Sequence, residues 1–308
     1  MKILECVPNF SEGKNKDTIN NIVEALRRVS GVKILDFSMD QDHNRSVITF
    51  IGMPEDVERG ASAACDRALE LIDMRKHKGF HPRNGAVDVV PFIPIKGMNM
   101  NEAVEVAHRF GRAFAERNNV SVYFYGEAAL NPSKKRLPFI RKGGYEALKD
   151  RISDPLWHPD TGPAIFNPRS GATAVGARNP LIAFNINLDT DNIDVAGKIA
   201  KSIRQSSGGL KHVQAMGVLL KSRNIAQVSM NLTNYKKTSI RTVFDTVKEK
   251  AEEYGVGILE SELIGLLPRD AIEGTTADYL RLYDFSEERI IETHCLKRQS
   301  RKGLSNED

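Results

Sequence analysis

The sequence predicts a mixed α/β (α+β) protein made of two ferredoxin-like units, each with the element order β-α-β-β-α-β. Three observations carry this expectation. The 308 residues are about twice the length of a typical domain. Apolar residues alternate between strand-like runs and helical spacing, in an order that occurs before residue 100 and again after residue 180. Hydrophobic residues make up 41% of the chain and charged residues 27%, values ordinary for a globular protein with its own core.

In the first unit, Lys2 to Val7 reads as a buried strand and Asn9 to Gly13 as a turn. Ile19, Ile22, Val23, Leu26 and Val29 then recur at helical spacing. Val32 to Phe37 and Ser46 to Ile51 are strands joined by a polar turn. Pro54 suits the first turn of a helix that reaches about Ile72. Val87 to Ile93 is the fourth strand, and Pro91 and Pro94 place it at an edge or a strand end. A helix from Glu102 to Arg117 and a strand from Val120 to Gly126 follow. Next come a Pro-, Gly- and Lys-rich stretch, a short helix near Tyr145 to Arg151, and a loop-like stretch rich in Gly and Pro from Asp160 to Gly171.

The second unit repeats the order. Its strands are Leu181 to Leu188, His212 to Leu220, Ala226 to Leu232 and Val256 to Leu263. Its helices are Asp194 to Ile203 and Ser239 to Tyr254, and a turn at Lys221 to Asn224 joins the middle strands. A boundary near Arg178-Asn179-Pro180 divides the chain into domains 1–178 and 179–308. The charged tail after Ser286 is expected to be peripheral.

The 44 basic and 40 acidic side chains leave a formal charge of only +4. No nucleic-acid partner is expected on that balance, though a locally positive pocket is allowed. Cys6, Cys65 and Cys295 have neither metal-ligand nor redox spacing, so free thiols in a reducing compartment are expected. The opening MKILECVPNF has no long apolar run, and no window approaches 18 apolar residues. Neither a secretory leader nor a membrane span is expected, and the predicted location is the cytoplasm.

Three segments could carry chemistry. The basic loop Met74 to Gly85 contains His77 and His81, four residues apart. Gly79 and Pro82 argue against one helix through both, which argues against a zinc site, so no metal is expected. An anion-binding loop with one histidine as acid/base is the chemical reading, and a solvated basic loop the plain one. Asp36, Asp40 and Asp42, followed by Asn44 and Arg45, form a carboxylate cluster between two strands, or simply a polar turn. In Gly162 to Gly176 the glycines allow close backbone approach to a ligand, but neither a P-loop nor a dinucleotide fingerprint is present.

These segments together resemble the glutamate formiminotransferase family. The resemblance rests on Cys6 to Gly13, Asn44 to Val47, His81 to Pro94, Tyr125 to Ala129, Gly171 to Arg178, Leu181 to Leu188 and Gln227 to Leu232, in the family's order, and covers most of residues 1 to about 270. It implies two subdomains whose sheets face each other across a folate-binding cleft, and a homodimer. It implies that His81, rather than His77, is catalytic. It places folate contacts on the loop Gly162-Pro163-Ala164-Ile165-Phe166-Asn167-Pro168-Arg169-Ser170-Gly171. The transferase step alone, without a cyclodeaminase, is expected.

The implied reaction passes a formimino group from N-formimino-L-glutamate to N5 of tetrahydrofolate, the co-substrate, in histidine degradation. His81 would shuttle the surplus proton. Asp36, Asp40 or Asp42 would stabilise the cationic formiminium, and Arg45, Arg83 and Arg178 would grip the carboxylates of glutamate and folate. Two other readings remain open: formyl transfer between glutamate and a reduced pterin, and a non-catalytic folate-binding protein.

Overall fold

The first predicted strand forms as β1 (Ile3–Cys6), and beyond Pro8 a second short strand, β2 (Asn9–Phe10), stands where the sequence reads a turn. The computed structural model describes residues 1–41, 44–79, 82–220 and 223–296, with Cys295 and Leu296 described by backbone alone. It divides into two compact units, Met1–Arg178 and Asn179–Asp308.

In the first unit the helix α1 (Lys16–Arg27) starts where the Asn15 side chain accepts from Thr18 N, and it buries Ile19, Ile22, Val23 and Leu26. The strands β3 (Val32–Asp40) and β4 (Arg45–Gly52), the helix α2 (Pro54–Leu71) and the strand β5 (Val87–Lys96) complete the β-α-β-β-α-β order. Strand β5 pairs with β1 and β2, these pair with β4, and β4 pairs with β3, all antiparallel. Phe10, Phe50, Phe92, Leu26 and Val57 fill the core between this sheet and its helices. Alternation along the strands puts Leu4, Cys6, Ile48 and Phe50 in that core. The side chains of Glu5, Asn9, Asp36, Asp40 and Arg45 therefore fall on the opposite face.

The unit is larger than the predicted plait. The helix α3 (Met100–Asn118) opens on a reciprocal Asn99–Glu102 capping box and returns the chain to β6 (Ser121–Gly126). The strand β7 (Ala172–Ala177) inserts between β5 and β6, parallel to both. The sequence predicts no strand here. Strand β7 is fully buried and made of small residues, so it lacks the alternation that marks half-buried strands. Gly176 is needed there, since a Cβ would lie 2.6 Å from the Tyr125 ring.

Strand β5 is consequently central, not at an edge as its prolines suggest. Pro91 O accepts from Val7 N at 3.4 Å. The proline has no N–H to return to Val7 O, and Asn9 Nδ2 donates to that oxygen instead at 2.8 Å. The interruption at Val7-Pro8 falls opposite Pro91, so no ladder bond is left empty.

Between β6 and β7 the chain forms α4 (Leu137–Ile140) and α5 (Leu148–Arg151). Ile140, Leu148 and Ile152 pack on Val89, Tyr123, Tyr125 and Ala174, covering the other face of the sheet at its β5-β7-β6 end. A buried Lys134–Asp160 pair at 2.8 Å ties this segment down.

The second unit holds β8 (Ile182–Leu188), α6 (Ile193–Ile203), β9 (Val213–Leu220), β10 (Ile225–Leu232), α7 (Ile240–Glu253) and β11 (Ile258–Ile264). The strand order is β11-β8-β10-β9, antiparallel throughout. This is the ferredoxin-like order the sequence predicts. Lys221 and Ser222 of the β9–β10 turn lie outside the described residues. Among the described residues after Ser286, part of the segment is not peripheral. Ile290 pairs with Leu267, and Ile290 and Ile291 are buried before α8 (Ile291–Leu296). Two adjacent isoleucines outweigh the charges around them.

Cys6 and Cys65 are free and buried, and burial pushes both thiols well above their usual pKa. Among the described residues, no helix is long and apolar enough to cross a membrane.

Candidate active site

Parallel neighbours begin at the same edge of a sheet, so the loops that precede β5 and β7 meet. Gly85 bridges Gly171. Ala86 N donates to Ser170 O at 2.8 Å, Ala172 N to Asn84 O at 3.1 Å, and Met74 N to Arg169 O at 2.9 Å. A Cβ on Gly171, whose φ is +66°, would collide with Asn84 O, and one on Gly85 would collide with Ser170 O. Glycine at both positions is what lets the loops touch. The junction of the basic loop and the Gly162–Gly171 loop lies wholly within the first unit. His81, with Phe80, lies outside the described residues, but the chain on both sides of it is anchored.

On one side the anchor is Asn44, which itself adopts a positive φ of 49°. Its Oδ1 accepts from Gly13 N at 2.9 Å, and its Nδ2 donates to Lys78 O at 2.9 Å. Asn44 O also accepts from His77 Nε2 at 2.9 Å. Gly13 lies against this turn so closely that a Cβ would meet Asp40 O and the Arg45 backbone. Gly13→Ala is expected to cost about 3 kcal/mol in a urea unfolding experiment, because backbone atoms cannot move aside as a side chain can.

On the other side the anchor is Arg83. Its Nε donates to His77 Nδ1 at 3.1 Å, and its two Nη atoms donate to Glu146 at 3.0 and 2.6 Å. Asn84 N donates to Asp88 Oδ1 at 2.9 Å, and Asn84 Nδ2 donates to Ile140 O. Asp88 is 3% exposed and pairs through Oδ2 with Arg141. Ser11, Asn44, Arg45, His77, Arg83 and Asp88 line a narrow crevice here. Burial, foremost, holds the His77 pKa below its usual 6.5, and Arg83 pushes the same way against the pull of Asn44 O, Glu12 and Glu146.

The cross-strand pairs Asp36–Thr49 and Asp40–Arg45 set Asp36, Asp40 and Arg45 on one face. Arg45 also donates to Asn9 Oδ1. Asp42 lies outside the described residues. Arg178, just past β7, is hydrogen-bonded to the Tyr125 hydroxyl, whose pKa burial raises. In the Gly162–Gly171 loop, Ser121 Oγ donates to Pro163 O at 2.6 Å and Tyr145 Oη donates to Pro168 O at 2.5 Å. Asn167 Oδ1 accepts from Arg169 N and Ser170 N, and the Arg169 guanidinium donates to Glu70 O. Phe166 lies against Tyr145, and Ile165 is 73% exposed between the two pinned ends.

Sequence reasoning overlooks Asn9, Asp88, Tyr145 and Glu146. Asp88 carries a signal, being a lone carboxylate inside the apolar run Val87 to Ile93. Glu146 carries none, since its partner is 63 residues away. Among the described residues, no three His, Cys, Asp or Glu side chains are grouped to hold a metal ion.

Guanidinium groups in this setting can pair with carboxylates. Fold and side chains together describe an α/β protein with a crevice lined by Arg45, His77 and Arg83 beside the junction of the two loops. Comparison with known proteins makes this particular. Residues 3–178 match the formiminotransferase domain, N-terminal subdomain, and residues 183–299 match the formiminotransferase domain. The chain belongs to the formiminotransferase domain family, and the match runs to residue 299, past the limit of about 270 seen from the motifs. It is 44% identical to the glutamate formimidoyltransferase of Streptococcus pyogenes serotype M1 over 96% of this chain and 99% of that protein. It is also 44% identical to the glutamate formimidoyltransferase of Thermoplasma acidophilum over 95% of this chain and 97% of that protein. The formimidoyltransferase-cyclodeaminase of Rattus norvegicus is 45% identical over 94% of this chain but only 55% of its own length.

Proposed function

We propose that this protein is a glutamate formimidoyltransferase, moving the formimino group of N-formimino-L-glutamate to N5 of tetrahydrofolate. The observation that carries the reading is the 44% identity, across nearly the whole of both chains, to a protein of that name. A homodimer in the cytoplasm belongs to the same proposal.

N5 attacks the amidine carbon, a C–N bond forms, and the nitrogen of the tetrahedral adduct carries a surplus proton. His81 takes that proton and delivers it to the glutamate nitrogen as the original C–N bond breaks. Asp36, Asp40 and Asp42 stabilise the cationic group in transit, a role supported for Asp36 and Asp40 by their shared face with Arg45. Arg45 and Arg178 hold the carboxylates of the ligands, with Asn44 beside Arg45. Arg83 takes a ligand carboxylate only in exchange for Glu146, which occupies its fork. The Gly162–Gly171 loop borders the pterin, with Ile165 and Phe166 as the apolar surfaces for its ring.

A transfer assay with N-formiminoglutamate and N-formylglutamate, each against tetrahydrofolate and other reduced pterins, tests the reading. Turnover is expected with the formimino donor and tetrahydrofolate. A preference for the formyl donor, or ligand binding without turnover, would refute it. Full activity is also expected after exhaustive chelation, since a proton shuttle and charge stabilisation suffice. Loss on chelation with recovery on zinc addition would overturn that expectation.

A further inference from the structure

We infer that His77 is a positioning residue, set as the Nε2–H tautomer between Asn44 O and Arg83, that holds the basic loop on both sides of residue 81 and aims the Arg83 guanidinium. The inference rests on the proposed role of His81.

The hydrogen-bond partners decide the tautomer. Nε2 lies 2.9 Å from Asn44 O, which can only accept, so Nε2 carries the proton. Nδ1 lies 3.1 Å from Arg83 Nε, which can only donate, so Nδ1 offers its lone pair. Both ring nitrogens are therefore committed, and neither is free to carry a proton for a reaction. The same geometry fastens two separate stretches of the loop. Asn44 holds Lys78 through its Nδ2, and His77 holds Arg83, which is 11% exposed while its partner Glu146 is 64% exposed. Of the partners of Arg83 among the described residues, His77 is the one set within the fold, and Glu146 the one open to solvent.

A second proton on His77 would place an N–H against the Arg83 Nε–H and set two cations face to face. Among the described residues, the charged groups that bear on the ring are Arg83 on its own loop, Glu12 from the turn before α1, and Glu146 from the segment between α4 and α5. Arg45 and Asp88 line the same crevice. The acids favour the cation, but burial and Arg83 oppose it, and burial is the largest effect. The folded-state pKa is thus depressed. The arrangement is complete above the ordinary 6.5 and is lost as pH falls through the lowered value.

Two substitutions separate positioning from mere packing. His77→Asn places an amide oxygen near the position of Nδ1 and keeps an acceptor for Arg83, whereas His77→Gln keeps a donor near Nε2 and removes that acceptor. With the formimino donor, H77N is expected to stay within about 3-fold of wild-type kcat/KM, while H77Q falls by about 10-fold, chiefly in KM for the donor, as expected for one charge-assisted hydrogen bond. Both variants should lose the His77 contribution to the acid limb of the kcat/KM profile. Equal losses in H77N and H77Q with an unchanged limb would overturn the proposal. Long-range proton–nitrogen NMR of the ligand-free wild-type protein reads the ring directly and needs neither turnover nor a folded variant. One imidazole is expected to be predominantly neutral, with the Nε2–H pattern, at pH 6.5, where an ordinary imidazole is half protonated. A His77 ring that is doubly protonated at that pH, or carries its proton on Nδ1, would refute the inference even if transfer activity is confirmed. Absence of transfer activity with the NMR pattern intact would refute the functional reading alone.

Discussion

His81→Ala is expected to lower kcat at least about 10²-fold while leaving folding and folate affinity nearly intact, the loss typical of a missing proton shuttle. Steady-state kinetics with a parallel thermal melt separate the two effects. His77→Ala should be milder in kcat, because both nitrogens of His77 are engaged by Asn44 and Arg83. A variant pair in which His77→Ala loses more turnover than His81→Ala would show that the proton carrier has been assigned to the wrong ring.

Asp88→Ala is expected to be the most damaging single change to the fold of the site, costing about 3–5 kcal/mol of unfolding free energy. Asp88 accepts from Asn84 N with one oxygen and pairs with Arg141 through the other. Removing it leaves Arg141, 14% exposed, as a buried cation without its counter-charge, and leaves a buried backbone N–H without its acceptor. Asn84 O also receives Ala172 N, so the damage passes directly to the junction of the two loops. Weaker folate binding should accompany the lost stability. Urea denaturation and a folate titration on the same preparation check both. A stability loss below about 1 kcal/mol would mean that the Asp88–Arg141 pair behaves as a solvated surface pair.

Much of the fold was legible in the sequence because local rules and tertiary packing agree there. Ile19, Ile22, Val23 and Leu26 are spaced for one helix face, and that face is buried. In the second unit, alternation along Ile182–Leu188 and Ile225–Leu232 placed both strands within a residue of their observed limits. Failures occurred where a strand is buried on both faces. Ala172–Ala177 has too little side chain to alternate, and Pro91 reads as an edge residue unless the break at Val7-Pro8 is known to lie opposite it.

The sequence by itself determined the family, through short motifs in a kept order, and the repeated β-α-β-β-α-β order, through hydrophobic periodicity. It also singled out the basic loop, the Asp36–Arg45 cluster and the Gly162–Gly171 loop as the places where chemistry could sit. Only the tertiary structure decided how these meet. The parallel insertion of β7 beside β5 brings together loops almost ninety residues apart, as in the Ala86–Ser170 and Asn84–Ala172 hydrogen bonds. It decided, too, that Asn44 and His77 are spent on holding the loop, and that Arg83 already grips Glu146. The physical reason is range. Periodicity and turn chemistry act over a few residues and leave their mark in the local sequence. A hydrogen bond across 63 positions depends on where the whole chain has been carried, and no local pattern encodes it.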